Sequence, residues 1–128
     1  MESCGFRAPV DTGAAILVVF RAQISLNPAC RSQVIRSLRR ILSQTRVLPG
    51  CVSCQLYADI EDDNRLVLIE EWADVQSLRA HVRADSFRVV LSALEYAVEP
   101  PEVRFDTLAN TTGMEFITTC RECGKPEG

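Results

Sequence analysis

Residues 49–72 read PGCVSCQLYADIEDDNRLVLIEEW, and this stretch decides the fold. Pro49-Gly50 is a stop signal. Proline cannot donate the amide hydrogen bond that continues a helix, and glycine takes backbone angles other residues avoid. Cys51–Asp59 then reads as a strand, Glu61-Asp62-Asp63-Asn64 as a polar turn and Arg65–Trp72 as a second strand. Two apolar-rich runs joined by a short polar turn predict an antiparallel hairpin.

Upstream of the hairpin, Asn27-Pro28 predicts a helix start, with asparagine as the cap and proline at the first helical position. Val34, Leu38, Ile41, Leu42 and Leu48 recur at helical spacing, while Arg31, Arg36, Arg39, Arg40 and Arg46 lie mostly off that stripe. The result is an amphipathic helix with an arginine-rich outer face, read as solvated, with anion binding as the alternative. Ala14–Leu26 precedes it. Ile16–Phe20 is continuously apolar, then Ala22, Ile24 and Leu26 alternate with Arg21, Gln23 and Ser25, which predicts a strand. Downstream, Asp74 is positioned to cap a helix with a Val75, Leu78, Val82 stripe, restarted at Asp85-Ser86 and continued by Phe87, Val90, Leu91 and Leu94. Pro100-Pro101 end it. Val103–Leu108 alternates as a fourth strand, Asn110–Gly113 is a turn, Met114–Thr118 is expected as a short extra strand, and the last residues are expected to be loose.

The order β-α-β-β-α-β predicts an α+β, ferredoxin-like antiparallel sheet with both helices on one face. Residues 1–13 are expected to be a loose leader, 14–108 the domain, and 109–128 a partly flexible C-terminal extension. The first and third strands carry apolar residues on both faces, so the uncovered face needs a partner. A second copy, packed sheet to sheet as a homodimer, is the expected one.

At 128 residues the chain has room for one domain. A hydrophobic share of 47% is more than a lone four-stranded sheet with helices on one side would hide. Net charge is −3, which argues against a nucleic-acid binder that relies on bulk positive charge. Met1–Gly13 lacks the apolar run of a secretory leader, and no segment approaches the ~18 apolar residues of a membrane span. The expectation is a cytoplasmic protein with reduced thiols.

Cysteines stand at 4, 30, 51, 54, 120 and 123. The pairs Cys51/Cys54 and Cys120/Cys123 have C-x-x-C spacing, but far more chain separates them than the ~15–20 residues of a zinc ribbon. Three residues along a strand span ~10 Å and put side chains on opposite faces, so an extended Cys51/Cys54 pair is not expected to chelate metal. Cys120-Arg-Glu-Cys123-Gly124 has the look of half a metal knuckle. Cys30, Cys51 and Cys54 are read as small core residues, and Cys4, Cys120 and Cys123 as thiols on loose ends. No metal site is expected.

Pro49-Gly50-Cys51, then Leu66–Trp72, then Ala80-His81 nine residues after the Trp, then Ser86-Phe87, form a pattern that resembles the antibiotic biosynthesis monooxygenase family. It is most similar to the small quinol-monooxygenase-like members. The resemblance covers about residues 14–108, and Glu70–Phe87 is its specific part. It implies a dimeric α+β barrel with a mostly apolar pocket between each sheet and its helices. It also implies oxidation of aromatic or quinol-like compounds by O2 as co-substrate, with no bound cofactor. Two departures stand out. Relatives acting on aromatic polyketides tend to carry an Asn where Leu68 stands, and haem-degrading relatives an Asn roughly where Phe20 stands.

Oxygenation without a cofactor requires a substrate that itself gives electrons to O2, as phenols and enols do once deprotonated. The protein must hold the ring, take the proton and stabilise the anion. His81, the only histidine, suits the role of base. Trp72 is expected as slot wall and N–H donor, Tyr57 as an auxiliary donor, and Phe20, Leu68 and Phe87 as apolar walls. Arg21 is expected to pair an anionic substrate or to form a rim salt bridge. Glu70 and Glu71 face opposite sides of the sheet, and one of them is expected to pair with an Arg. A second reading of these residues is a non-catalytic dimeric protein that binds or senses a small apolar or aromatic molecule. A third is a dimer whose C-terminal thiols bind metal or sense redox state.

Overall fold

In the computed structural model, which describes residues 17–123, the helix expected after Asn27 forms as α1 (Pro28–Arg46). The Asn27 carboxamide accepts the Ala29 N–H at 2.9 Å, and Pro28 opens the first turn, so the start obeys the local chemistry. The buried face of α1 is Val34, Leu38, Ile41 and Thr45, while Leu42 and Leu48 pack at the edge of the core.

Four strands, β1 (Val18–Ser25), β2 (Cys51–Asp59), β3 (Asp62–Trp72) and β4 (Glu102–Thr107), form one sheet in the order β2-β3-β1-β4. All pairings are antiparallel. With α1 between β1 and β2, and α2 (Val75–Arg83) and α3 (Arg88–Glu95) between β3 and β4, this is the ferredoxin-like α+β fold. Alternation along the two central strands sends Val18, Phe20, Ala22 and Ile24, and Leu66, Leu68, Glu70 and Trp72, into the layer beneath the helices. On the opposite face lie the half-buried Val19, Val67 and Ile69, with Arg21, Gln23 and Glu71 around them. Among the described residues, no helix is long and apolar enough to cross a membrane.

The structure corrects four local expectations. The hairpin turn is tighter than Glu61–Asn64. Asp59 pairs with Asp62 across Ile60-Glu61, because Asp59 accepts the Glu61 N–H at 2.8 Å and Arg65 bridges Asp59 and Asp62. On α2 the buried residues are Leu78 and His81, and Val75 and Val82 are exposed. A 3-10 turn at Asp85–Phe87 separates α2 from α3, so the buried row restarts as Phe87, Val90 and Ala93, and Leu91 is exposed. Met114–Thr118 is not a strand but the start of a helix, α4 (Met114–Cys123). Glu115 in its first turn and Arg121 in its last suit the helix dipole, and a helix satisfies its backbone without a sheet edge to join. The expected leader, residues 1–13, lies outside the described residues, as does the expectation of looseness at 124–128.

Gly50 fixes the join between α1 and the sheet. Its φ is +86°, and a Cβ there would collide with the Ser77 side chain in the first turn of α2. Its carbonyl accepts the Ala73 N–H at 2.7 Å. Gly50→Ala is therefore expected to lose at least about 1–3 kcal/mol from backbone strain alone, read by urea unfolding. An unchanged midpoint would contradict this role.

Candidate active site

The end of β3 and the middle of α2 build the site. Two-residue alternation places Glu70 and Trp72 side by side under the helices, each with no exposed surface. Asp74 caps α2 by accepting the Ser77 N–H at 2.8 Å, which sets the helix so that His81, one turn after Leu78, faces inward. His81 is 3% exposed. Its ring stacks on Trp72 with centroids 4.9 Å apart, and Phe87 meets it edge-on at 5.2 Å. Phe20 lies behind, 5.9 Å from Phe87 and stacked on Phe105 at 4.9 Å.

Glu70 is the polar centre of this apolar group. Its Oε1 accepts the Trp72 Nε1–H at 3.0 Å and lies 3.2 Å from His81 Nε2. The His81 contact has ion-pair distance without hydrogen-bond alignment, and His81 Nδ1 is buried with no hydrogen-bond partner. The other oxygen, Oε2, accepts the Cys54 thiol at 3.9 Å. The expectation that Glu70 or Glu71 pairs with an Arg is corrected: Glu71 accepts from Ser53 at 2.9 Å, and Glu70 faces the indole, imidazole and thiol.

Trp72 and His81 both line a cavity of about 190 Å3, open on one side and bordered by Leu48 and Pro49 and by small residues of α2 and beyond, Ser77, Ala80, Ala84 and Ser86. An apolar cavity of roughly 150 Å3 accepts benzene, so this space suits one aromatic ring. Larger openings lie elsewhere. One of about 440 Å3 runs between α2 and β4, past Leu78, Val82 and Phe105. Another of about 600 Å3 follows the arginine face of α1. Neither includes His81 or Glu70, so the chemistry points to the smaller cavity.

A sequence profile described as antibiotic biosynthesis monooxygenase matches residues 17–92. The chain belongs to the antibiotic biosynthesis monooxygenase family. An uncharacterized protein of Synechocystis sp. is 25% identical over 100 residues, which span 77% of this chain and 68% of that protein. A crystal structure described as an antibiotic biosynthesis monooxygenase is 27% identical, with a TM-score of 0.64 over 70% of this chain and 95% of its own. The fold is also shared with a putative antibiotic biosynthesis monooxygenase from Deinococcus radiodurans, 14% identical, with a TM-score of 0.69 over 76% of this chain and 97% of that one.

Within this family member, the residues expected at the site divide in two. His81, Trp72 and Phe87 come together, with Phe20 one ring further back. Leu68 is buried on the same face but lines a separate cavity of about 10 Å3 with Ala22 and Leu56. Tyr57 and Arg21 do not join them. Tyr57 pairs with Val67 on the other face of the sheet and is 52% exposed. Arg21, on that face too, bonds Gln23 at 3.1 Å and reaches Glu102 at 3.7 Å, which is the rim salt bridge. Strand alternation separates both from His81 by the thickness of the sheet.

The cysteine reading also needs correction. A β-bulge between Cys51 and Ser53 shifts the register, so Cys51 opposes Trp72 and Cys54 opposes Glu70, and both point to the helix-covered face. Burial and then the Glu70 carboxylate push the Cys54 thiol up to about 12. Burial, followed by Glu70, also raises Cys51. Both are packed thiols rather than reactive thiolates. Cys120 is exposed on the last turns of α4 rather than on a knuckle, and Cys4 and the Cys123 side chain lie outside the described residues. Among the described residues, no group of three or more His, Cys, Asp or Glu is placed to hold a metal ion.

The raised Cys54 thiol has a stability consequence. Its folded value, about 12, lies above the unfolded value of 9.0, so the folded state binds the proton more tightly. Its contribution is complete below pH 9 and is lost as pH climbs toward 12. Unfolding across that window should show a steeper alkaline loss in the wild type than in Cys54→Ala. Equal slopes would contradict the burial argument.

Proposed function

We propose that the chain is a cofactor-independent monooxygenase that uses O2 to oxidise a small quinol-like, electron-rich ring. The observation that carries the reading is that His81, backed by the Glu70 carboxylate, and Trp72 line one cavity of single-ring size. Membership of the monooxygenase family supports it. His81, braced edge-on by Phe87, takes the phenolic proton, Trp72 holds the substrate ring in place, and the deprotonated quinol supplies the electrons. For a hydroquinone the balance closes without another reductant. One oxygen atom enters the ring, giving a hydroxyquinone, and the other leaves as water. Leu68, at the place where polyketide-oxidising relatives carry an Asn, argues against a polyketide substrate.

Oxygen consumption with a panel of monocyclic hydroquinones tests the reading, and uptake well above the autoxidation rate is expected. Saturable binding without uptake would instead favour a protein that sequesters or senses its ligand, the reading that the Leu68 departure supports.

The functional unit we propose is a homodimer, a barrel closed by two sheets packed face to face. The half-buried Val19, Val67 and Ile69 on the uncovered face support it, and Tyr57 and Arg21 would then lie at or near the interface. Light scattering should give twice the chain mass, and Ile69→Lys should give the monomer mass. A monomeric wild type would contradict the dimer.

A further inference from the structure

We propose that Glu70 is a positioning residue that keeps the proton of the neutral imidazole on His81 Nε2. Nδ1 is left as a bare acceptor, which commits the cavity to a neutral ligand that donates a hydroxyl hydrogen and against a carboxylate of the same shape. This deepens the proposed function and rests on it for the assignment of the cavity as the substrate site.

Three observations carry it. First, Glu70 Oε1 lies 3.2 Å from Nε2. A carboxylate oxygen at that distance repels a ring lone pair and attracts an N–H, so the proton belongs on Nε2. The carboxylate is itself held: the Trp72 indole donates to Oε1 and the Cys54 thiol to Oε2, and neither donor carries a charge that would neutralise it.

Second, neither ring nitrogen has a hydrogen-bond partner in a side chain 3% exposed, and Nδ1 lacks even the ion-pair contact that Nε2 makes with Glu70. A buried polar atom left unpaired costs free energy, and a ligand that pairs it recovers that cost. On the Nε2–H tautomer, Nδ1 is purely an acceptor, so the complementary ligand group is a donor. A phenolic or enolic hydroxyl qualifies, and an ionised carboxylate does not.

Third, among the described residues the cavity lining contains no Lys or Arg and no other charged side chain. An anion entering beside Trp72 would face the Glu70 carboxylate with no cation of the lining to offset it. A hydroxyl gives up its hydrogen only once bound, so charge develops after the ring is seated. Glu70 then stabilises the imidazolium that forms, and the Nε2 proton remains where the carboxylate holds it.

The test uses two features of the composition: one histidine and one tryptophan. In the full chain labelled with 15N-histidine, long-range proton–nitrogen spectra read a single imidazole, and Trp72 alone reports the indole emission. At a pH where the ring is neutral, the expected result is a protonated Nε2 and an unprotonated Nδ1. Phenol should move the Nδ1 resonance and change the emission saturably, with benzoate binding at least about tenfold more weakly. A resting Nδ1–H tautomer would overturn the role of Glu70. Phenol leaving Nδ1 unmoved, or benzoate binding as tightly as phenol, would overturn the ligand class. In Glu70→Leu both tautomers should appear, and retention of pure Nε2–H in that variant would also overturn the role. If that variant does not fold, the wild-type spectra decide. None of these readouts needs turnover, so a chain that consumes no oxygen would sink the monooxygenase reading and leave this one standing or falling separately.

Discussion

His81→Ala is expected to lower oxygen consumption with a hydroquinone by about 10²–10⁴-fold, the usual contribution of a positioned general base. Proton removal converts a sluggish electron donor into a good one, so losing the base removes the step on which the chemistry depends. No other described side chain on the cavity wall replaces it, since its remaining lining is Trp72, aliphatic residues and serine hydroxyls. Glu70 lies behind the imidazole, bonded to Trp72 and Cys54, rather than among the lining residues. His81→Ala also removes a buried ring that stacks on Trp72, so the variant should be assayed at a temperature where circular dichroism shows it folded. Raising the pH should partly restore the rate, because a substrate already deprotonated in solution needs no base. A folded variant with undiminished uptake would remove His81 from the mechanism.

Trp72→Ala is expected to cost about 3–5 kcal/mol of stability, the range for deleting a large buried aromatic. The residue is fully buried, ends a central strand, opposes both Val18 and Cys51 and supplies one face of the His81 stack. Its loss would also leave Glu70 without the indole N–H, its shortest hydrogen bond. Trp72→Phe separates the two contributions. It keeps a ring under His81 but removes the donor, and should cost about 1–3 kcal/mol. Urea unfolding of the two variants checks the order. A Trp72→Phe as damaging as Trp72→Ala would assign the whole effect to the hydrogen bond.

The elements that obey local rules were legible from residues alone. Asn27-Pro28 opens α1 as its chemistry requires, Cys51–Asp59 is β2 to the residue, and Pro49-Gly50 stands at the join with Gly50 at positive φ. What was not legible came from pairing and tertiary packing. The bulge near Val52 turns Cys51 to the same side as Cys54, and no residue type there announces it. Val75 and Val82 looked like the buried stripe of α2, yet the helix rolls to bury Leu78 and His81, because Trp72 and Phe87 receive the imidazole.

The meeting of His81 and Trp72 was readable because one histidine and one tryptophan sit at a spacing that bridges strand and helix. Glu70 was missed as a participant, although its signal was present. It occupies the same alternating row as Leu66, Leu68 and Trp72, and an acid in a buried row must find donors. Tyr57, expected as an auxiliary donor or as a strand residue packing at the dimer face, stands apart from His81; in the register observed it opposes Val67 on the other side of the sheet.

On the proposed function, this family member itself inserts oxygen from O2 into a ring held beside His81 and Trp72. Incubation of the chain, freed of flavin and metal by dialysis against chelator, with a monocyclic hydroquinone under 18O2 tests it most directly. Mass spectrometry is predicted to find one labelled oxygen atom in the hydroxyquinone product with wild type and almost none with His81→Ala. Label derived from water, or product formed only after flavin or metal is restored, would contradict the account.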